Sequence, residues 1–500
     1  MSPSETYSSL VQKMQEVADL RYASAVLQWD QETYMPPAGA ATRARQVATL
    51  TELAHAKFVS PEIHDLLEEL GEGHGLEADQ QHNLRLIRED VTKSRKLPGS
   101  FVRQMSETIS KSFNQWMSAR KENNFSLFAA PLAEVVELKK QEADLLGYEG
   151  HRYNALLNDY EKGATVTMLD AAFHQLKQPL RELIARIGSA PQVDNGFLHK
   201  NYPKQEQWDY GMNLLKEMNY DLEAGRQDIA EHPFSINFSA RDVRITTRVD
   251  EHDLGNMVWS TIHELGHALY EQGLPEDQYG LPLGEAASLS IHESQSRMWE
   301  NNVARGLSFW KHQYPRLQQA FPQQLAGVDL PHFYKGINQV KPSFIRTEAD
   351  ELTYHFHVMI RYELEKELIG GNLAVKDIPA FWNEQYKNWL GVIVENDRNG
   401  CLQDVHWSHG SFGYFPTYSL GSLYAAQFYK KATQDIPQLE ANLAQGNTLP
   451  LLEWLRTNIH RHGRKYTSNE LCTLVTGEPL NSAHFMEYVT GKYASIYLLT

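Results

Sequence analysis

The stretch FSINFSARDVRITTRVDEHDLGNMVWSTIHELGHALYE, residues 234–271, sets two structural periods side by side. In its first half Phe234, Ile236 and Phe238 alternate, and Val243, Ile245, Thr247 and Val249 alternate again after Ser239-Ala240-Arg241-Asp242. A period of two on either side of a short polar break predicts a β-hairpin over 234–250, with an edge strand able to pair with an extended peptide. The second half changes period. Leu254, Met257, Val258, Ile262, Leu265 and Leu269 recur at three- and four-residue spacing, which predicts a helix over 252–272 with one buried side.

Within that helix stands His263-Glu264-Leu265-Gly266-His267. Imidazoles at i and i+4 lie about 40° apart around a helix, so both reach one cation. Glu264 leans off the same side and is placed to take a proton from a water that bound Zn2+ has acidified toward a pKa of about 7. Gly266 costs roughly 1 kcal/mol against Ala in a helix, and so implies close packing by another backbone or a ligand. A core helix with two surface histidines is the plain alternative.

Two histidines leave a catalytic zinc one protein ligand short. The metzincin continuation fails, because Tyr270 stands where its Gly belongs and Gly273 where its His belongs. The third ligand is therefore expected from a carboxylate on a later helix, with Glu271, Glu285 and Glu293 in competition. Glu271 lies one turn on along the same helix and gives a collinear set. Glu285 follows Leu283-Gly284 at a loop-to-helix transition, where it can serve the helix dipole. Glu293 sits mid-helix, where a buried acid needs a partner, and is the expected ligand.

Length and composition bound the rest. The 500 residues are 42% hydrophobic and 11% aromatic, enough for a sizeable core. A net charge of −16 argues against a nucleic-acid partner and against adhesion to anionic membranes. Cys401 and Cys472 form neither a disulfide framework nor a thiolate zinc site by spacing, which points to a reducing compartment. The opening Met1-Ser2-Pro3-Ser4-Glu5-Thr6 lacks the basic and apolar regions of a signal peptide, so a cytoplasmic location is expected.

Helical periodicity dominates elsewhere, over 5–28, 39–57, 79–95, 101–146, 165–188 and 204–222, and again over 285–306, 346–369, 378–396, 418–433 and 449–461. Pro36-Pro37, Pro98-Gly99 and Asp194-Asn195-Gly196 punctuate these runs, but no stretch is long enough for an interdomain linker. The expected architecture is mainly α: one large helical domain over 1–500 with a small β-sheet beside the metal-binding helix.

Several blocks together resemble one family. His263–His267 followed by Ile291–Gln295, with His232-Pro233-Phe234 (HPF), Asp242-Val243-Arg244-Ile245-Thr246 (DxRxT), Ile345-Arg346-Thr347-Glu348-Ala349-Asp350 (IRxxAD) and Gly400-Cys401-Leu402-Gln403-Asp404-Val405-His406-Trp407 (GxxQDxHW), are similar to the motifs of the carboxypeptidase Taq family of zinc metallocarboxypeptidases. Trp29-Asp30-Gln31-Glu32-Thr33-Tyr34-Met35-Pro36-Pro37 resembles that family's N-terminal signature. The resemblance implies a mostly helical, often homodimeric protein with a deep central groove, removing C-terminal residues from peptides with broad specificity but generally not proline. It implies His263, His267 and Glu293 as ligands of one Zn2+, for which Co2+ can substitute, and Glu264 as acid/base.

An exopeptidase must also hold the substrate's terminal carboxylate, a task suited to an Arg fork. Arg346 is the choice by resemblance; the alternative is an i to i+4 pair with Asp350. His406, Tyr414 and Tyr418 are candidate oxyanion or substrate contacts, with aromatic core packing as their alternative. His232, held extended before Pro233, is a candidate donor to substrate backbone. Asp242 and Arg244 share a strand face and can neutralise each other, Asp404 and His406 can form an orienting pair, and Asp350 and Gln403 complete the supporting set. Two other functions compete: a zinc oligopeptidase or dipeptidyl carboxypeptidase cutting one bond further in, and a helical binding protein with a vestigial metal site.

Overall fold

A computed structural model describes residues 2–499. Among them are twenty α-helices and one three-stranded sheet, so the fold is mainly α with a small β element. The chain forms two compact units, each assembled from three separated segments. The first takes the chain up to Arg95, Asn195–Ile337 and Phe428–Pro479; the second takes Lys96–Asp194, Asn338–Gln427 and the chain from Leu480 on. No helix among the described residues is long and apolar enough to cross a membrane.

In the first unit, the helix Pro3–Thr33 opens on a capping box: Ser2 Oγ accepts from the Glu5 N–H while Glu5 Oε2 accepts from the Ser2 N–H at 2.8 Å. Its Tyr7, Leu10, Met14 and Val17 pack with Leu66, Leu67, Leu70, Leu84, Ile87 and Leu281 in one apolar cluster.

The alternating stretch forms the predicted hairpin. Strands β2 (Ser235–Ser239) and β3 (Asp242–Thr247) pair antiparallel, with a bulge between Asn237 and Ser239. A third strand, β1 (Gly225–Ile229), pairs parallel with β3, giving the order β1-β3-β2 and leaving β2 at an edge. Val243 and Ile245 are fully buried, and Thr261 of the following helix donates to Thr247 Oγ1 at 3.0 Å, so the sheet is docked on that helix.

That helix, Leu254–Glu271, starts where Asp253 accepts from the Gly255 N–H, and the six apolar residues of its predicted inner face are all at most 2% exposed. The helix Leu289–Arg297 starts where Ser288 accepts from the Ile291 N–H. It continues as a π-helical turn, Met298–Val303. The two helices cross at Gly266. A Cβ there would stand 2.5 Å from Ser296 Cα and 2.7 Å from the Gln295 carbonyl oxygen, so only glycine admits the approach that sequence cost alone suggested.

Several helix boundaries differ from periodicity. The run 101–146 is two helices, Gly99–Glu122 and Ser126–Leu146, because Asn123 turns left-handed at φ 54°. The run 346–369 begins as a short 3₁₀ turn at Arg346–Glu348, and the α-helix starts only at Tyr354. That helix, Tyr354–Gly370, is buried on nearly all sides and forms the centre of the second unit, carrying His355, His357, Arg361 and Glu365 inward with its apolar residues.

Candidate metal centre

His263 and His267 project from one face of the Leu254–Glu271 helix, and the crossing at Gly266 brings Glu293 against them. Glu293 Oε2 lies 3.4 Å from His267 Nε2 and 3.7 Å from His263 Nε2. Ligands about 2.0–2.1 Å from a tetrahedral ion sit about 3.3 Å apart, so these edges are close to what a bound ion demands. Two imidazole nitrogens and one carboxylate oxygen, converging in a buried corner, fit a divalent cation and leave coordination positions open. Glu285 lies elsewhere and pairs with Arg464 at 3.2 Å.

Neighbouring groups hold these three side chains. Arg297 donates to Glu293 Oε1 at 2.6 Å and to Glu300 Oε2 at 3.1 Å, and Ser296 Oγ donates to Glu293 Oε2 at 3.0 Å. His263 Nδ1 sits 2.9 Å from Glu300 Oε2, and Arg305 lies 3.6 Å from the other oxygen of Glu300. His267 Nδ1 meets His292 Nδ1 at 2.5 Å, and His292 Nε2 meets Glu271 Oε1 at 2.7 Å. None of Arg297, Glu300 or His292 was singled out by sequence reasoning. The signal was available for two of them, since Arg297 and Glu300 lie four and seven residues past Glu293 and share its helix face.

The electrostatics follow from burial. Burial raises the Glu293 carboxyl, but Arg297, His263 and His267 outweigh it and hold it well below the usual range. Glu300 falls to about 2 because Arg297 and His263 likewise outweigh burial. His267 is pushed down to about 3 by burial and then by His292, so its imidazole stays neutral. Glu264, 7% exposed beside Ser235 of β2, is pushed up to about 7 by burial, with His263 opposing.

The remaining candidates fall into separate groups. In the first unit Arg244 donates to both oxygens of Asp242 at 2.8 Å and lies over the rings of Trp29 and Phe238, at 4.4 and 4.9 Å, so the Trp29 stretch covers the sheet. His232 is exposed in the loop before β2. In the second unit Arg346, Gln403, Asp404, His406, Tyr414 and Tyr418 gather in one cluster. Arg346 Nε donates to Asp404 Oδ1 at 3.0 Å, Arg361 Nε donates to Asp404 Oδ2 at 2.7 Å, and Gln403 Oε1 accepts from the Arg346 N–H and from Arg361. Arg346 also donates to the Tyr354 hydroxyl and covers the Tyr418 ring at 4.8 Å.

Two pairings that local spacing offers, Asp404 with His406 and the alternative Arg346 with Asp350, give way to these. Asp404 is held by Arg346 and Arg361, while His406 Nε2 meets the Tyr418 hydroxyl at 3.2 Å and its ring lies 5.4 Å from that of Tyr414. Asp350 accepts from the Leu352 and Thr353 N–H groups and starts the Tyr354–Gly370 helix instead of pairing with Arg346. Sequence reasoning passed over Arg361, which is fully buried.

Known proteins match this chain over nearly its whole length. Residues 9–493 match the family described as Carboxypeptidase Taq (M32) metallopeptidase. The thermostable carboxypeptidase 1 of Thermus thermophilus is 40% identical over 511 aligned positions, covering 99% of this chain and 100% of that protein. Among solved structures, one described as "The Structure of CHT" is 56% identical with a TM-score of 0.96, covering 98% of this chain and 99% of that one. The M32 carboxypeptidase from Deinococcus radiodurans is 37% identical with a TM-score of 0.97, covering 99% of both chains. A whole-length match, together with a His-His-Glu corner that fits a divalent metal, places this chain in the carboxypeptidase Taq (M32) family and makes it a metallocarboxypeptidase.

Proposed function

We propose that residues 1–500 act as one zinc-dependent carboxypeptidase that removes the C-terminal residue of peptides with broad specificity and works poorly on C-terminal proline. The observation that carries this reading is the convergence of His263, His267 and Glu293, with Glu264 buried next to the first of them. His263, His267 and Glu293 hold the ion, and Co2+ can replace Zn2+. Bound zinc supplies a Lewis acid for the scissile carbonyl and lowers the pKa of a coordinated water. Glu264 takes the proton of the attacking water and passes it to the departing amine. Buried beside Ser235, it works away from competing solvent protons.

Arg346 is assigned to the substrate's terminal carboxylate, with His232, His406, Tyr414 and Tyr418 as further substrate contacts. Gln403 and Asp404 hold Arg346, and Asp242, Arg244 and Asp350 are assigned supporting roles within their own units. The enzyme is proposed to act in the cytoplasm as a homodimer, which sedimentation velocity measures directly.

N-blocked short peptides test the reaction. Release of the last residue from the free acid, but not from a C-terminal amide, is the expected result; removal of two residues at once, or cleavage of the amide, overturns it in favour of an oligopeptidase or dipeptidyl carboxypeptidase. Dialysis against a chelator abolishes turnover, and Zn2+ or Co2+ restores it.

A further inference from the structure

The two histidines of the metal corner are braced differently. His263 Nδ1 meets a carboxylate directly, at Glu300. His267 meets another histidine. His292 reaches it from the crossing helix, with ring centroids 4.5 Å apart and planes tilted by 37°, and Tyr270 walls His292 from the other side at 5.4 Å. Beyond His292 the chain of contacts ends on Glu271, whose second oxygen accepts from Asn237 Nδ2 of β2 at 2.7 Å.

A histidine that ligates a metal through Nε2 carries its hydrogen on Nδ1, and Nε2 is the His267 nitrogen that faces Glu293. Two Nδ1 atoms 2.5 Å apart need one hydrogen between them, so a ligating His267 donates to His292 Nδ1. His292 then presents its own N–H at Nε2, 2.7 Å from Glu271 Oε1.

We propose that Asn237, Glu271 and His292 form a positioning relay that fixes His267 with Nε2 bare, and so sets how tightly the centre holds its cation. The relay spans three elements: the edge strand, the HELGH helix and the crossing helix. Glu271 lies four residues after His267 and shares its face, so one helix supplies both ends and the His292 imidazole is slotted between them. The inference rests on His267 being a ligand, and the test separates the two ideas.

Zn2+ affinity is measured on the full-length protein by competition with a chromophoric chelator, and the Co2+-loaded protein is examined by visible absorption. His267→Ala is the control for the ligand role. His292→Ala and Glu271→Ala are expected to weaken Zn2+ binding by about 10–100-fold and to shift the Co2+ ligand-field bands. Glu271→Gln, whose side-chain oxygen still accepts from His292, is expected to recover most of the affinity. Asn237→Ala, the outermost and mildest change, weakens binding least and keeps the test alive if a larger variant does not fold. Wild-type Zn2+ affinity and Co2+ spectrum in His292→Ala and Glu271→Ala overturn the relay, whatever happens to the melting temperature of the metal-free protein. Retention of metal by His267→Ala overturns the ligand assignment instead.

Discussion

The metal corner of the first unit and the Asp404 cluster of the second are built from the same materials, buried carboxylates and guanidiniums, in opposite proportion. Around the corner Glu293 and Glu300 face Arg297 and Arg305, while Glu271 meets only His292 and Asn237 and Glu264 adds a fourth carboxyl, all of them at most 8% exposed. Around Asp404 one acid faces Arg346 and Arg361. Buried charge is tolerated only when compensated, so the first group is completed by a cation and the second has positive charge to spare for an anion. A site of either kind is recognisable as a place where the protein's own charges do not close.

The sharpest way to break this contrast is to remove the carboxylate that completes the cation site. Glu293→Ala is expected to lose bound metal and fall to background activity, whereas Glu285→Ala, which only frees Arg464 from one partner, keeps both. Elemental analysis of the two proteins decides it. The reverse outcome exchanges their roles.

Next in size is Glu264, the assigned proton acceptor. Glu264→Gln is expected to keep its metal and lose about 10²–10⁴ in kcat with little change in KM, because ligation survives without a proton acceptor. Turnover within a few-fold of the wild type sinks the assignment.

Arg346 and Arg361 then test the anion side. Both hold Asp404, so both substitutions to Met are expected to lower the melting temperature. Only Arg346→Met should also raise KM for free-acid peptides, by about 10–100-fold, since a hydrogen bond to a charged group is worth about 1.5–3 kcal/mol. Preference for acid over amide should collapse in that variant alone. An unchanged preference in Arg346→Met makes Arg346 a purely structural partner of Asp404.

How far the chain betrayed these sites depended on whether their partners were local. The HELGH helix and the hairpin were legible because period, caps and buried face all lie within residues 234–271. Gly266 announced a close approach, and the Ser296 backbone supplies it. By contrast β1, Gly-Arg-Gln-Asp-Ile, has no apolar alternation and is a strand because β3 offers it a parallel edge. Short helices such as Tyr153–Tyr160 and Leu439–Ala444 span too few turns for a period to show. The partner of Arg346 was hidden for a related reason. The spacing of Arg346 to Asp350 suggests a helical pair, yet Arg346 sits in a 3₁₀ turn before the helix begins and finds Asp404, 58 residues on.

The smallest expected effect is a difference in acid stability. Burial raises the Asp404 carboxyl, but Arg361 and then Arg346 outweigh it and hold it well below the ordinary value for an aspartate. A depressed folded value means that the unfolded chain binds a proton more readily than the fold does. The stabilisation is therefore complete above the unfolded value near about 3.9 and is lost as pH falls below it toward the folded value. Between neutrality and pH of about 5 this group contributes no slope, and below about 4 it adds to the fall in the denaturant midpoint. In Arg361→Met the folded value climbs back toward the ordinary one, so the variant starts less stable at neutral pH and its curve converges on the wild type as the solution is acidified. Parallel curves, with the gap unchanged at low pH, would mean that Arg361 stabilises by packing on Trp382, whose ring it covers at 4.4 Å, rather than by its charge.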